Sequence, residues 1–169
     1  SQPVKENAKR RVAVIGAGPA GLTSAYFLAR LGYRPDVFEA MEKPGGMPQQ
    51  TIPVYRLPRQ VLFKEIRMIQ DMGVTIHTGK RLGKDFSLSD LKKKGYEAVI
   101  VGVGAPDGTK LGIPGEDAKG VADGIQFLRE FNTKGKTPVG RNVVVIGGGN
   151  VAIDVARTAV RLGADSVSV

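Results

Sequence analysis

The chain has 169 residues, enough for one domain or two small ones, and with 41% hydrophobic residues it can bury a core. It has no cysteine, which excludes disulfides, a thiol redox centre and a cysteine-ligated metal; no apolar run reaches the length of a membrane span, no signal peptide is visible in SQPVKENAKRR, and a cytoplasmic location is expected. A net charge of +9 raises nucleic acid as a partner, but the lysines and arginines are scattered and aromatic residues are sparse. No nucleic acid is therefore expected, and polyphosphate cofactors, an acidic electron-transfer partner or an ordinary solvated surface account for the charge equally well.

Residues 1–10 are polar and read as a linker. Residues 12–15 are all apolar and read as a short buried strand. Gly16, Gly18 and Gly21 follow in G-x-G-x-x-G spacing, and a helical pattern opens at Pro19, a residue suited to a first helical turn. Gly16 allows the tight turn out of the strand. Gly18 lets the backbone approach a pyrophosphate, and Gly21 lets the helix pack close to the strand. The helix N-terminus then offers free N–H groups and its positive dipole end to the phosphates. Leu22, Ala25, Tyr26 and Ala29 share one helical face, and Gly32 ends the helix.

Residues 35–39 read as a second strand. Glu39 stands at its end, 23 positions after the first glycine, where a carboxylate accepts both hydroxyl protons of an adenosine ribose. Residues 40–59 read as a long irregular loop held extended by Pro48, Pro53 and Pro58, with Gly45 and Gly46 permitting close approach to a ligand. Arg56 in this stiffened loop can reach a diphosphate or ribose oxygen bidentately. An amphipathic helix is expected over 58–73, with Leu62, Ile66, Ile69 and Met72 at helical spacing. A strand over 74–77 and a short helix over 87–94, capped by Ser87 or Ser89, follow. A further strand over 97–103 closes on Gly104, which joins the cofactor-binding candidates. His77, the sole histidine, reads as structural or surface rather than catalytic, and the lysines at 92–94 read as the solvated end of the short helix.

Residues 105–120, rich in Gly and Pro, form a crossing segment, and a helix is expected over 123–131. Then the opening pattern returns. Residues 142–146 read as a strand, Gly147, Gly148 and Gly149 turn, a helix runs to about Leu162, and a second strand begins at Ser166. Gly147, Gly149 and Ala152 give G-x-G-x-x-A spacing. Two such motifs 131 residues apart are a far more specific signal than either alone, and this is the spacing of a flavoprotein whose FAD domain is interrupted by an NAD(P) domain.

The stretches VAVIGAGPAGL, VFEAMEKPGGM, IPVYRLPRQVLFKEI, MGVTIHTGK, YEAVIVGVGA, LGIPGED and VVVIGGGNVAIDVARTAVRLGA cover residues 11–169 almost without gaps. In them the chain resembles the FAD/NADPH oxidoreductases of the glutamate synthase small-subunit type and the corresponding region of dihydropyrimidine dehydrogenase. The resemblance implies FAD contacts at Ile15, Gly16, Ala17, Gly18, Pro19, Glu39, Met47, Arg56 and Leu82. It implies NADPH contacts at Gly148, Gly149, Asn150 and Val151, with NAD left open as the alternative. The sequence reads PQQTIP where many relatives place a glycine before Ile-Pro.

The fold class that follows is α/β: a Rossmann-like FAD-binding unit over 11–108, then the start of an inserted Rossmann-like NAD(P)-binding domain over 109–169. Thioredoxin-reductase-like flavoproteins share the layout but carry a C-x-x-C that is absent here. No side chain is therefore an obvious acid, base or nucleophile, and the chemistry belongs to the cofactors. In the implied function hydride passes from NAD(P)H to FAD, and electrons pass on to an iron–sulfur domain or subunit and a catalytic subunit. Those clusters need cysteines and so lie outside this sequence. The chain reads as a fragment, expected to be inactive alone, because one strand–helix–strand unit cannot complete the second sheet. Two other readings stand beside this one: a nucleotide-binding or assembly module without turnover, and an FAD-dependent amine oxidase or monooxygenase. The latter shares the first motif but is not expected to carry the second.

Overall fold

The computed structural model describes residues 9–169, so most of the expected linker lies outside the described residues. The described chain forms two compact units: one of residues up to Gln49 together with Arg59–Gly104, the other of Gln50–Pro58 and Ala105–Val169.

In the first unit the elements are β1 (Arg11–Ile15), α1 (Pro19–Arg30), β2 (Arg34–Phe38), α2 (Met47–Gln50, whose last residue falls in the second unit), α3 (Arg59–Asp71), β3 (Thr75–His77), α4 (Leu88–Lys93) and β4 (Tyr96–Val101). The four strands form a wholly parallel sheet in the order β3-β2-β1-β4. β1 lies inside the sheet with both faces covered, which is why its run is continuously apolar rather than alternating. Successive side chains still point to opposite faces. Val14 packs with Leu22, Ala25 and Ala29 of α1, Val37, and Ile66 of α3. Ala13 and Ile15 pack with Leu91 of α4, Tyr96, Phe38, Leu82 and Phe86. α4 is held by a capping box: the Ser87 hydroxyl accepts from the Asp90 N–H while the Asp90 carboxylate accepts from the Ser87 N–H, which decides between the two serine caps.

The second unit contains α5 (Gly124–Lys134), β5 (Asn142–Val144), α6 (Asn150–Arg161) and β6 (Ser166–Ser168). β5 and β6 pair in parallel, Asn142 opposite Ser166. Asp123 caps α5 by accepting from the Gln126 N–H, and Gly135 ends it in the left-handed conformation. Leu128, Ala152, Thr158 and Ala159 are among its buried residues, and α5 and α6 approach closely at Gly124, where any side chain would press on Val155.

The fold is α/β and Rossmann-like. Several details differ from the sequence reading: the strand expected over 97–103 is β4 and ends at Val101, and the helix expected over 123–131 is α5 and runs on to Lys134. The loop over 40–59 contains the single helical turn of α2, too short to show periodicity. The strand expected over 142–146 ends at Val144, because its one neighbour β6 is only three residues long. Residues 50–58 group with the second unit, a long-range association that local pattern does not carry.

Candidate functional site

The carboxyl ends of the four parallel strands bring one group of residues together in the first unit. At the end of β1, Gly16 turns with φ +102, and its N–H donates to the Phe38 carbonyl at 2.8 Å. A side chain at Gly16 would collide with the backbone of Gly102, which follows β4, and one at Gly21 would collide with the Gly16 carbonyl. Both glycines are therefore dictated by backbone packing. Gly18 is different. A Cβ there would meet only Gly46 Cα, at 3.7 Å. Gly18 caps α1 without a side chain, so the first-turn N–H groups of a twelve-residue helix meet no capping side chain. Such a helix end suits an anion.

The glycine pair at 45–46 crosses this turn. Gly45 N–H donates to the Ala17 carbonyl at 2.8 Å. Gly46 has φ +58, and a Cβ on it would lie 2.6 Å from Gly18 Cα. The backbones of the two glycine stretches thus touch, and Met47 follows directly as the first residue of α2.

Glu39 sits at the end of β2 and is 6% exposed. One carboxylate oxygen accepts from the Ala17 N–H at 2.8 Å and the other from the Met41 N–H at 2.8 Å. Glu39 therefore fixes the glycine turn to the loop after β2. A carboxylate has about four acceptor positions, so both oxygens keep capacity for a ligand hydroxyl. The chain after β3 runs back along the same place: Gly79 N–H donates to the Met41 carbonyl and Lys80 N–H to the Glu39 carbonyl. This leads to Leu82, half-buried against Ala13, Ile15 and Leu91. Ile15 and Ala17 are buried, Pro19 is exposed at the helix start, and Gly104 is exposed at the end of the unit with φ +72. Ile15, Gly16, Ala17, Gly18, Pro19, Gly21, Glu39, Gly46, Met47 and Leu82 thus belong to one end of one sheet, where open α/β sheets take their ligands.

Arg56 lies in the second unit. Its guanidinium donates to a carboxylate oxygen of Asp154 on α6 at 2.6 Å. Asp154 is 4% exposed, and its other oxygen has no hydrogen-bond partner among the described residues. The neighbouring Tyr55 ring lies under Arg157 and Arg161, with guanidinium carbons 4.5 and 4.1 Å from the ring centroid. The loop arginine is thus engaged by a protein carboxylate, a partner 98 residues away that no local pattern reveals.

The second glycine turn is open. Gly147 turns with φ +125, nothing lies within 4 Å of a Cβ placed on Gly148 or Gly149, and Gly149 caps α6 without a side chain. Asn150 and Val151 begin the helix, both exposed. Ala152, in the third position of the motif, lies 3.8 Å from a Cβ placed on Gly147. This repeats, in the second unit, the strand–turn–helix geometry of the first.

Gly102 and Gln49 were not singled out from the sequence. Gly102 is one glycine after an apolar strand and becomes significant only through its contact with Gly16. Among the described residues no group of His, Asp or Glu side chains is arranged to hold a metal ion, and no helix is long and apolar enough to cross a membrane.

A family model for pyridine nucleotide-disulphide oxidoreductases matches residues 10–169. The chain is similar to the NADPH-Fe(3+) oxidoreductase subunit beta of Geobacter sulfurreducens, 46% identical over 95% of this chain and 25% of that protein. It is also similar to the NAD-dependent dihydropyrimidine dehydrogenase subunit PreT of Salmonella typhimurium, 42% identical over 94% of this chain and 38% of that protein. Among solved structures, Mycobacterium tuberculosis FprA in complex with NADPH superposes with a TM-score of 0.78 at 27% identity, over 92% of this chain and 36% of that one. The chain therefore spans about a quarter to two fifths of the length of these proteins. With the family match running over nearly all of its length, the chain belongs to the pyridine nucleotide-disulphide oxidoreductase family.

Proposed function

We propose that the first unit binds FAD, that the second binds NADPH or NADH, and that together they form the cofactor-bearing part of an NAD(P)H-dependent flavoprotein that passes electrons to an iron–sulfur partner, in the manner of the glutamate synthase small subunit. The observation that carries this reading is the duplication: each compact unit contains a β-strand, a glycine turn and a helix in succession, the helix N-terminus without a side-chain cap. The first unit fits FAD in a further respect. Glycines 16, 18 and 46 leave bare backbone beside the helix end, and buried Glu39 stands at the adjoining strand end.

In this reading the N–H groups opening α1 bind the FAD pyrophosphate, and Gly18 and Gly46 allow its approach. Glu39 accepts the adenosine ribose hydroxyls while holding Ala17 and Met41 in place. Gly148, Gly149, Asn150 and Val151 receive the NAD(P)H pyrophosphate at the start of α6. When bound, FAD supplies a ring that accepts hydride and releases electrons one at a time. The chain has no cysteine, so the disulfide chemistry in the family's name has no side chain here to perform it. The protein's own contribution is orientation and charge. The test is anaerobic mixing of the intact flavin-loaded protein, not the 169-residue chain alone, with NADPH and with NADH. Bleaching of the flavin absorbance by at least one of them is expected; an unchanged spectrum with both overturns the reading.

A further inference from the structure

β3 (Thr75–His77) is an edge strand of three residues, paired with β2 alone. So short an edge opens easily unless side chains anchor it. Yet the chain that leaves it carries the backbone contacts around Glu39. The Glu39 N–H donates to the His77 carbonyl at 2.8 Å, the Lys80 N–H donates to the Glu39 carbonyl at 2.8 Å, and the Gly79 N–H donates to the Met41 carbonyl at 3.1 Å. Residues 77–80 thus grip residues 39–41. On one face of the sheet Val74 and Ile76 hold this segment in the core with Val37. On the opposite face the anchor is His77. Its ring stacks on Phe38, directly across the pairing, at 4.9 Å and 19°, and its Nε2 lies 3.1 Å from an Asp36 carboxylate oxygen. Asp36 in turn accepts from Arg11 of β1 and from the Tyr96 hydroxyl of β4. The imidazole therefore ties the edge strand to a carboxylate that is itself held from the inner strands.

We propose that His77 is a positioning residue for recognition of the adenosine ribose: it fixes the backbone on which Glu39 stands, and so sets where the Glu39 carboxylate meets the ribose hydroxyls. This rests on the flavin reading above. The Glu39 carboxylate is oriented by two donors, the Ala17 and Met41 N–H groups, each at 2.8 Å. Met41 is placed in turn by Gly79, in the segment that His77 anchors. Loosening residues 77–80 shifts the Glu39 main chain and one of those two donors together. Hydrogen bonds weaken steeply with misalignment. The cost therefore falls on the ribose hydroxyls and not on the pyrophosphate, which meets the N–H groups opening α1.

The test titrates FAD, followed by its fluorescence, into the intact protein freed of flavin, and beside it an FAD analogue whose adenosine ribose lacks both hydroxyls. The readout is the preference, the ratio of the two dissociation constants. Wild type should prefer FAD about tenfold to a hundredfold, the range of hydrogen bonds to a charged group. His77→Leu removes both the stacked ring and the donor to Asp36. It should lower that preference by about threefold or more, with FAD weakened and the analogue binding as before. A residue that only stabilised the fold would weaken both ligands together and leave the preference intact; that outcome, or unchanged FAD affinity, overturns the proposal. If His77→Leu does not fold, His77→Phe keeps a ring against Phe38, removes the bond to Asp36 and is read on the same ratio. Wild type that binds FAD and the analogue equally takes Glu39 off the ribose and overturns the proposal. Wild type that binds neither overturns the flavin reading and the proposal with it. Wild type that prefers FAD beside a variant with the same preference overturns the proposal alone.

Discussion

At Asp36 of β2 a single half-buried carboxylate serves side chains from the other three strands of the sheet. Arg11 of β1 reaches one oxygen at 3.0 Å, the Tyr96 hydroxyl of β4 donates to the same oxygen at 2.9 Å, and His77 Nε2 of β3 lies 3.1 Å from the other. The Arg11 guanidinium also lies over the Tyr96 ring at 4.2 Å, and His77 stacks on Phe38. Burial alone pushes Asp36 upward, but the hydrogen bonds from His77, Arg11 and Tyr96 and the Arg11 charge outweigh it and hold the carboxyl below its ordinary value of 3.8. Burial, and then the bond to Asp36 and its charge, push the Tyr96 hydroxyl up to about 12. A carboxyl depressed in the folded state adds stability that is fully present above the unfolded value near 3.8 and is lost as pH falls through the folded value. Asp36→Asn is expected to cost about 1–3 kcal/mol at neutral pH. It should also flatten the decline in stability below about pH 4, having forfeited the contribution already. Urea unfolding of both proteins from neutral to acidic pH checks this; parallel curves would count against it.

The two glycine turns look alike in sequence and differ in what surrounds them. Gly46→Ala places a methyl group 2.6 Å from backbone Gly18 Cα at a left-handed φ, and neither side can yield. It should destabilise the first unit by more than the roughly 1–2 kcal/mol of left-handed strain alone, and weaken FAD binding with it. Gly148→Ala meets nothing within 4 Å. Its unfolding midpoint should stay at the wild-type value, while NADP(H) affinity falls because the added methyl occupies the approach to the helix end. Chemical denaturation paired with cofactor titration separates the two outcomes; equal loss of stability in both variants would refute the distinction. The contrast also marks what local sequence carries. The run at 12–15, the glycine spacing and the start at Pro19 specify β1, the turn and α1 through interactions within a dozen residues, and all three are legible. The spacing of Leu62, Ile66 and Ile69 likewise specifies α3. The collision partners of Gly16 and Gly46 come from Gly102 and Gly18, brought there by the order β3-β2-β1-β4, which no local period encodes. The place of Glu39 directly after β2 was legible, whereas its bonds to Ala17 and Met41 depend on the folded turn. Arg56 was legible as a stiffened loop cation, but Asp154 as its partner was not, since the two are joined only by tertiary packing.

At the scale of the whole chain, two units with separate cores carry the two glycine turns, and each core is anchored differently. The first buries Ala13, Val14, Ala17, Ala25 and Val37 completely, whereas in the second Val144 of β5 is 76% exposed and burial concentrates on α5 and α6. The segment Gln50–Pro58 leaves the first unit after Gln49 and rejoins it at Arg59, and within the second unit the Asn132 side chain donates to the Gln50 carbonyl at 3.1 Å while Arg56 is fixed by Asp154. A ligand that binds only the folded form of its site slows local opening there in proportion to its saturation, about a hundredfold when present at a hundred times its Kd. Amide hydrogen exchange read by mass spectrometry should therefore resolve the two cofactors by place. FAD should slow exchange in peptides covering residues 16–22, 39–41 and 45–49. NADP+ should slow it over 147–153, with the FAD-protected peptides unchanged. Protection of 16–22 by NADP+ with none over 147–153 would reverse the assignment of the two turns. Protection of both by FAD alone would show that the second turn serves the flavin as well, and that the duplication does not divide the cofactors between the units.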